Sequence, residues 1–149
     1  MKPSRHVIAS AFAGGLLAFF TKSVYAGILC LASGVLVDFD HVIEYIIHHR
    51  WKNLSLGNIY HVSEQTNYRN SAEGFKKLYL LFHSAEIAIL LLIAAVYTKN
   101  IYILAIATGY SLHIILDCIG NPMQNIAYFI LWRATKGFET DKLFDDGKC

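Results

Sequence analysis

Between His6 and Lys22, and again between Lys22 and Asp38, the chain carries no charged side chain, only apolar, small and hydroxylic residues. Each run is 15 residues long, short of the roughly 20 that cross a bilayer core unaided. They read as two helices joined at Thr21-Lys22-Ser23, with the Lys22 ammonium able to snorkel to the interface. A third apolar run covers 78–98 and a fourth 101–116, with a tight turn near Lys99-Asn100. The expectation is an all-α integral membrane helical bundle of about four transmembrane helices in two hairpins. A hydrophobic share of 55% agrees with it, and a net charge of only +2 gives no support for nucleic-acid binding.

Between the hairpins, residues 41–77 are polar and aromatic, with Asn53, Asn58, Asn67, Asn70 and a break at Gly57. The first part is expected to form a short amphipathic helix, with Val42, Ile43, Ile46 and Ile47 on one face and His41, Glu44 and His48 on the other. The rest reads as a surface loop with one further turn of helix. After Gly120-Asn121-Pro122, residues 126–132 are apolar, flanked by Arg133 and Lys136, and too short to span. They suit an interfacial helix with Tyr128 and Trp132 at the lipid headgroups. Residues 1–136 then form one membrane-embedded domain, and 137–149 a mobile tail.

Basic residues orient the bundle. With a cytoplasmic N-terminus, Lys2, Arg5, Arg50, Lys52, Arg69, Lys76, Lys77, Arg133, Lys136, Lys142 and Lys148 lie inside, and only Lys22 and Lys99 outside. The expected location is the cell membrane, multi-pass, with both termini and the 41–77 loop cytoplasmic. A cleaved leader competes for the first run, since Val24-Tyr25-Ala26 is a tolerable cleavage site. Lys22 and the immediate second apolar run favour a retained hairpin. Cys30, Cys118 and Cys149 are odd in number and scattered, so no disulfide framework or paired-cysteine metal site follows.

This orientation uses no acidic or histidine residue, yet it brings three clusters to one depth near the cytoplasmic leaflet: Asp38-Phe39-Asp40-His41, His83-Ser84-Ala85-Glu86, and His113 with Asp117. Ionisable groups at membrane depth are costly and mark functional sites with partners. His113 and Asp117 stand one helical turn apart and can aim two donors at one ion. The bland alternatives are a hydrogen bond to a neighbouring helix for His113, an interhelical hydrogen-bonded pair for His83 and Glu86, and a helix cap for Asp40. His48, His49 and His61 read as solvated, and His6 as interfacial.

Jointly the clusters offer three histidines and up to four carboxylates. The candidate metal ligands are Asp38, Asp40, His41, His83, His113 and Asp117. Imidazole and carboxylate suit zinc first, with manganese or iron as alternatives, and the set can hold one or two divalent ions. A metal-bound water loses its proton near neutral pH, and Glu86, deepest and the least obvious ligand, is the candidate base.

The Asp38-Phe39-Asp40-His41 motif ending a membrane helix, the His83-Ser84 pair, and Gly109-Tyr110-Ser111-Leu112-His113 running on to Asp117 resemble the inner-membrane-associated family of metal-dependent hydrolases, in motif order over residues 7–125. The resemblance implies an all-helical integral membrane protein in which the Asp, His and His-x-x-x-Asp positions bind metal. That last element is also similar to one in zinc-dependent phospholipases of the C type, which by analogy points to phosphodiester or phospholipid substrates. The function expected is a membrane-bound hydrolase acting on a phosphoester or lipid-associated substrate at the cytoplasmic face, with membrane lipids as partners and the oligomeric state open. The alternative is a non-catalytic metal-binding or metal-transporting membrane protein; a transporter would spread its ligands along a path across the bilayer. A phosphatidic-acid-type phosphatase would need a Ser-Gly-His element that the chain lacks, and a bis-histidine haem would leave the carboxylates unexplained.

Overall fold

The computed structural model describes residues 3–49, 53–66 and 75–144. The chain is all-helical. Among the described residues there is no strand, and two isolated bridges, Lys77 with Glu139 and Met123 with Phe144, tie extended segments together. The helices are α1 (Pro3–Thr21), α2 (Val24–Leu36), α3 (Phe39–His49), α4 (Leu56–Thr66), α5 (Ala85–Thr98), α6 (Ile101–Gly120) and the short α7 (Ile130–Thr135).

Both expected hairpins form, and they turn in the same way. Lys22 and Lys99 each adopt a left-handed backbone, φ 53, the conformation that ends a helix and usually belongs to glycine. A side-chain cap then starts the return helix. Ser23 accepts from Ala26 N, and Asn100 accepts from Tyr102 N and Ile103 N. Gly14, Gly27, Gly34 and Gly109 pack these helices internally, whereas Gly15 has open space beside it. A Cβ on Gly14 would stand 2.6 Å from the Gly27 carbonyl oxygen, and one on Gly27 would stand 2.7 Å from that of Gly14. Gly34 leaves room for Ser10, and Gly109 lies against the Cys30 carbonyl. The backbones of α1, α2 and α6 therefore approach closely, gathering the start of α1, the end of α2 and the second half of α6 at one end of the molecule.

Two helical stretches, Val24–His49 and Ile101–Gly120, are long and apolar enough to cross a membrane by length and composition, where four spans were expected. α5 falls short because the third apolar run is not helical throughout. Residues 78–84 form an irregular strap, with Leu80 at positive φ, and the helix begins only after Ser84, whose hydroxyl caps Ile87 N. The remaining 14 residues are about 21 Å of helix, less than a bilayer core.

Three other expectations are corrected. The stretch 56–66 is a helix of 11 residues rather than a single turn. Residues 126–132 divide into a 3-10 turn, Asn125–Tyr128, and α7, and Tyr128 is buried, with its hydroxyl accepting from Asn121 Nδ2, rather than lying at a headgroup surface. The tail is packed as far as Phe144. Thr140 donates through N to the Lys76 carbonyl and through Oγ1 to that of Phe75, Gln124 N reaches Leu143 O, and Leu143 is fully buried. Residues 145–149 and 67–74, where part of the expected tail and loop falls, lie outside the described residues.

Candidate metal centre

The strap 78–84 carries His83, and it has no helix or sheet to satisfy its backbone. Buried N–H and C=O groups need partners, and side chains from three helices supply them. Glu44 accepts from Tyr79 N and Leu80 N, both at 3.1 Å. Asp40, one turn earlier on α3, accepts from Phe82 N at 2.5 Å and His83 N at 3.0 Å. From α6, the Tyr110 hydroxyl donates to Phe82 O and accepts from Ser84 N. From α7, Arg133 donates to Tyr79 O at 2.5 Å and to Leu80 O and His83 O at 3.0 Å. Arg133 is fully buried. Burial lowers its pKa from the ordinary guanidinium value, opposed by the charges of Asp40, Glu86 and Glu44.

Held in this way, His83 faces the helices. Its Nδ1 stands 3.3 Å from Asp40 Oδ2, and the Nδ1 of His113 stands 2.7 Å from the Gly34 carbonyl oxygen. A carbonyl and a carboxylate accept, so a proton on each Nδ1 is satisfied there, and this tautomer leaves each Nε2 a lone pair for an ion. These two Nε2 atoms are 3.2 Å apart. Asp117 Oδ2 lies 3.4 Å from the first and 3.3 Å from the second. Three acceptors thus converge on one point. For metal bonds of 2.0–2.1 Å, the edge of a coordination tetrahedron is about 3.3–3.4 Å, so the spacing fits three ligands of one tetrahedral ion.

Asp38 Oδ1 lies 3.6 Å from His113 Nε2 and 3.9 Å from His83 Nε2, and His41 Nε2 lies 3.9 Å from the same oxygen. Their side chains are 26% and 31% exposed, while those of His83, His113 and Asp117 are 4% or less. The cluster therefore opens on the Asp38 and His41 side. On the far side, His6 Nε2 stands 3.1 Å from Asp117 Oδ1, and its ring stacks on His113 with centroids 3.9 Å apart. Three overlapping groups, His6–Asp38–His113, Asp38–His41–His83 and His83–His113–Asp117, could each hold a metal ion.

Asp38, His41, His83, His113 and Asp117 are thus brought together as the sequence suggested. Two expected roles need correction. Asp40 belongs to none of those groups; its carboxylate lies behind His83, occupied by two backbone N–H groups and the imidazole. Glu86 is turned away, accepting from Ser84 Oγ at 2.7 Å and from Ile130 N and Leu131 N at 3.0 Å. It caps α7, where free N–H groups and the helix dipole favour a carboxylate, so it is not placed to act as a base for the cluster. His48 pairs with Glu44 and approaches the Lys77 carbonyl, and His49 stacks on Tyr45; neither belongs to the cluster.

Two residues were missed. His6, read as interfacial, is buried inside the cluster; the depth argument that united the other clusters covered it too, since it opens the first run at the same end. Arg133, read as a flanking charge, had no signal in the sequence, because its carbonyl partners are 50 to 54 residues away. No protein-family model, curated protein or solved structure matches the chain. The chemistry of the centre therefore rests on its own geometry.

Proposed function

We propose that this chain is a membrane-embedded, metal-dependent hydrolase whose ion, zinc first, is held by His83, His113 and Asp117. The observation that carries this reading is the convergence of two Nε2 lone pairs and a carboxylate oxygen at tetrahedral spacing. Charge supports it. Asp40, Glu44 and Asp117 are buried, Asp38 is partly so, and among the described residues Arg133 is the one buried guanidinium, acting on Asp40 and Glu44. Such an excess of negative charge at low dielectric calls for a cation.

Three protein ligands leave a fourth position for water or substrate, which is the catalytic rather than the structural arrangement. A zinc ion there supplies Lewis acidity and a water that ionises near neutral pH. The chain's own part is to hold and move the proton. With Glu86 turned to α7, His41 takes the role of base: its ring is partly exposed beside Asp38 and the open side, and its Nδ1, a buried atom, has no hydrogen-bond partner in the protein. A phosphoester or lipid-linked ester is the substrate class favoured, because the strap and helix ends near the opening expose Leu36, Phe39, Leu81 and Phe82. All the ligands gather at one end of the bundle rather than along a path through it, which favours a hydrolase over a transporter.

In this reading α1 and α5 complete the two hairpins in the bilayer, and the uneven lysines and arginines put the centre and both termini on the cytoplasmic side. A cysteine at position 60 should resist an impermeant reagent added outside intact cells; strong labelling would invert the topology. For the chemistry, the detergent-purified protein should contain zinc and hydrolyse some member of a panel of phospholipids and model phosphoesters. His41→Gln should keep the metal while turnover falls by a factor on the order of 100 to 10,000. A wild-type protein with no affinity for zinc or manganese would overturn the proposal.

A further inference from the structure

The Asp117 carboxylate has two oxygens, and each faces an imidazole. Oδ2 stands 3.3 Å from His113 Nε2, and Oδ1 stands 3.1 Å from His6 Nε2. The two rings are nearly parallel, 20° apart, with centroids at 3.9 Å. Both Nε2 atoms face the same carboxylate, so their lone pairs reach points separated by about the stacking distance. That separation falls within the roughly 3.5–4 Å between the ions of two-metal hydrolytic sites. A carboxylate receiving one ion on each oxygen is the bridge such a pair requires.

On this basis we infer that the centre holds a second divalent cation, ligated by His6, by the outer oxygen of Asp117 and by Asp38. The inference rests on the first ion's site as proposed above. It gives a role to residues that this site does not use. Asp38 forms a metal-holding group with His6 and His113, and His113 has a single lone pair, so in a two-ion centre His113 serves the first ion and His6 with Asp38 the second. His6 is 1% exposed and Asp117 3%, so the site is built into the interior at the crossing of α1 and α6. Its ligand class is a zinc- or manganese-type ion, which accepts one imidazole with two carboxylates and keeps further positions for water or substrate oxygen.

The competing role for His6 is a plain hydrogen bond from Nε2–H to Asp117. The test is therefore metal stoichiometry in wild type, His6→Gln and His113→Ala, measured on full-length protein in detergent after loading with Zn2+, and in parallel with Mn2+ for spin resonance. Glutamine keeps an N–H donor for Asp117 yet is a poor ligand. The expected result is two ions per chain in wild type, one in His6→Gln, and a spin-coupled Mn2+ pair that collapses to an isolated Mn2+ signal in His6→Gln. His113→Ala should lose the first ion. One ion per chain in wild type, unchanged in His6→Gln, would overturn the second ion and leave the first intact. Two ions without spin coupling would place the second elsewhere and equally overturn it. No ion at all in wild type would instead remove the metal-dependent reading on which both depend.

Discussion

His113 and His83 present the same atom to the same point, but the chain positions them by opposite means. His113 sits on α6, whose backbone satisfies itself, and Asp117 follows one turn later on the same face. The helix, one carbonyl, that of Gly34, and the stacked ring of His6 aim the His113 ring. His83 sits on a strap with no regular hydrogen bonding, and Asp40, Glu44, Tyr110 and Arg133 are all engaged in holding it. The difference teaches how to read an ionisable residue in an apolar chain. Where backbone leaves the helix inside a bundle, its polar groups must be met by protein, and carboxylates meet N–H groups as readily as they meet metals.

The strap should therefore break more easily than the helix. The largest effect is expected for Arg133→Met, which takes a donor from three carbonyls, leaves those of Tyr79 and His83 without it while Leu80 O keeps His83 N, and removes the cation facing Asp40 and Glu44. The cost should be on the order of 3–5 kcal/mol, read as a lowered unfolding midpoint in detergent together with loss of the metal. A near-neutral result would mean that water replaces the guanidinium. Next comes Asp40→Asn, which keeps the size of the side chain but weakens the hold on His83 Nδ1. Metal affinity should fall roughly 10–100-fold with the fold retained; complete loss of metal with normal stability would restore Asp40 as a direct ligand. The smallest effect is assigned to Glu86→Gln, about 1 kcal/mol through the cap on α7, with metal content and turnover unchanged. A large fall in turnover at full metal content would return Glu86 to the role of base and contradict its placement at α7.

What could be read from the sequence follows the same division. The hairpins were legible because charge-free runs and the lysines that close them are local features, and His113 with Asp117 because their spacing matches the helical turn. The strap was not, since Leu78, Tyr79, Leu80, Leu81 and Phe82 are as apolar as any helix and periodicity cannot tell the two apart. A helix running through 78–98 would put His83 and Glu86 on one face, but α5 begins only after Ser84, and that face does not form. The burial of Tyr128, Arg133 and Leu143 likewise depends on partners far along the chain, which no local pattern reports.

The strap also sets the order in which the chain can become competent. Each hairpin closes through neighbours, across a turn of a few residues. Asp40 must find its amides 42 and 43 residues ahead, and Arg133 must find its carbonyls 50 to 54 residues back. Contacts of such long range are slow to close and give no stabilisation until both ends are in place. Assembly in this order runs from helices to strap, and a partly translated chain ending before α7 has most of its helices, with Asp40 and Tyr110 to meet the strap, but lacks the Arg133 part of the clasp on His83. Refolding from denaturing detergent should return the helical signal first and zinc affinity later; simultaneous recovery would show that the ion itself templates the strap.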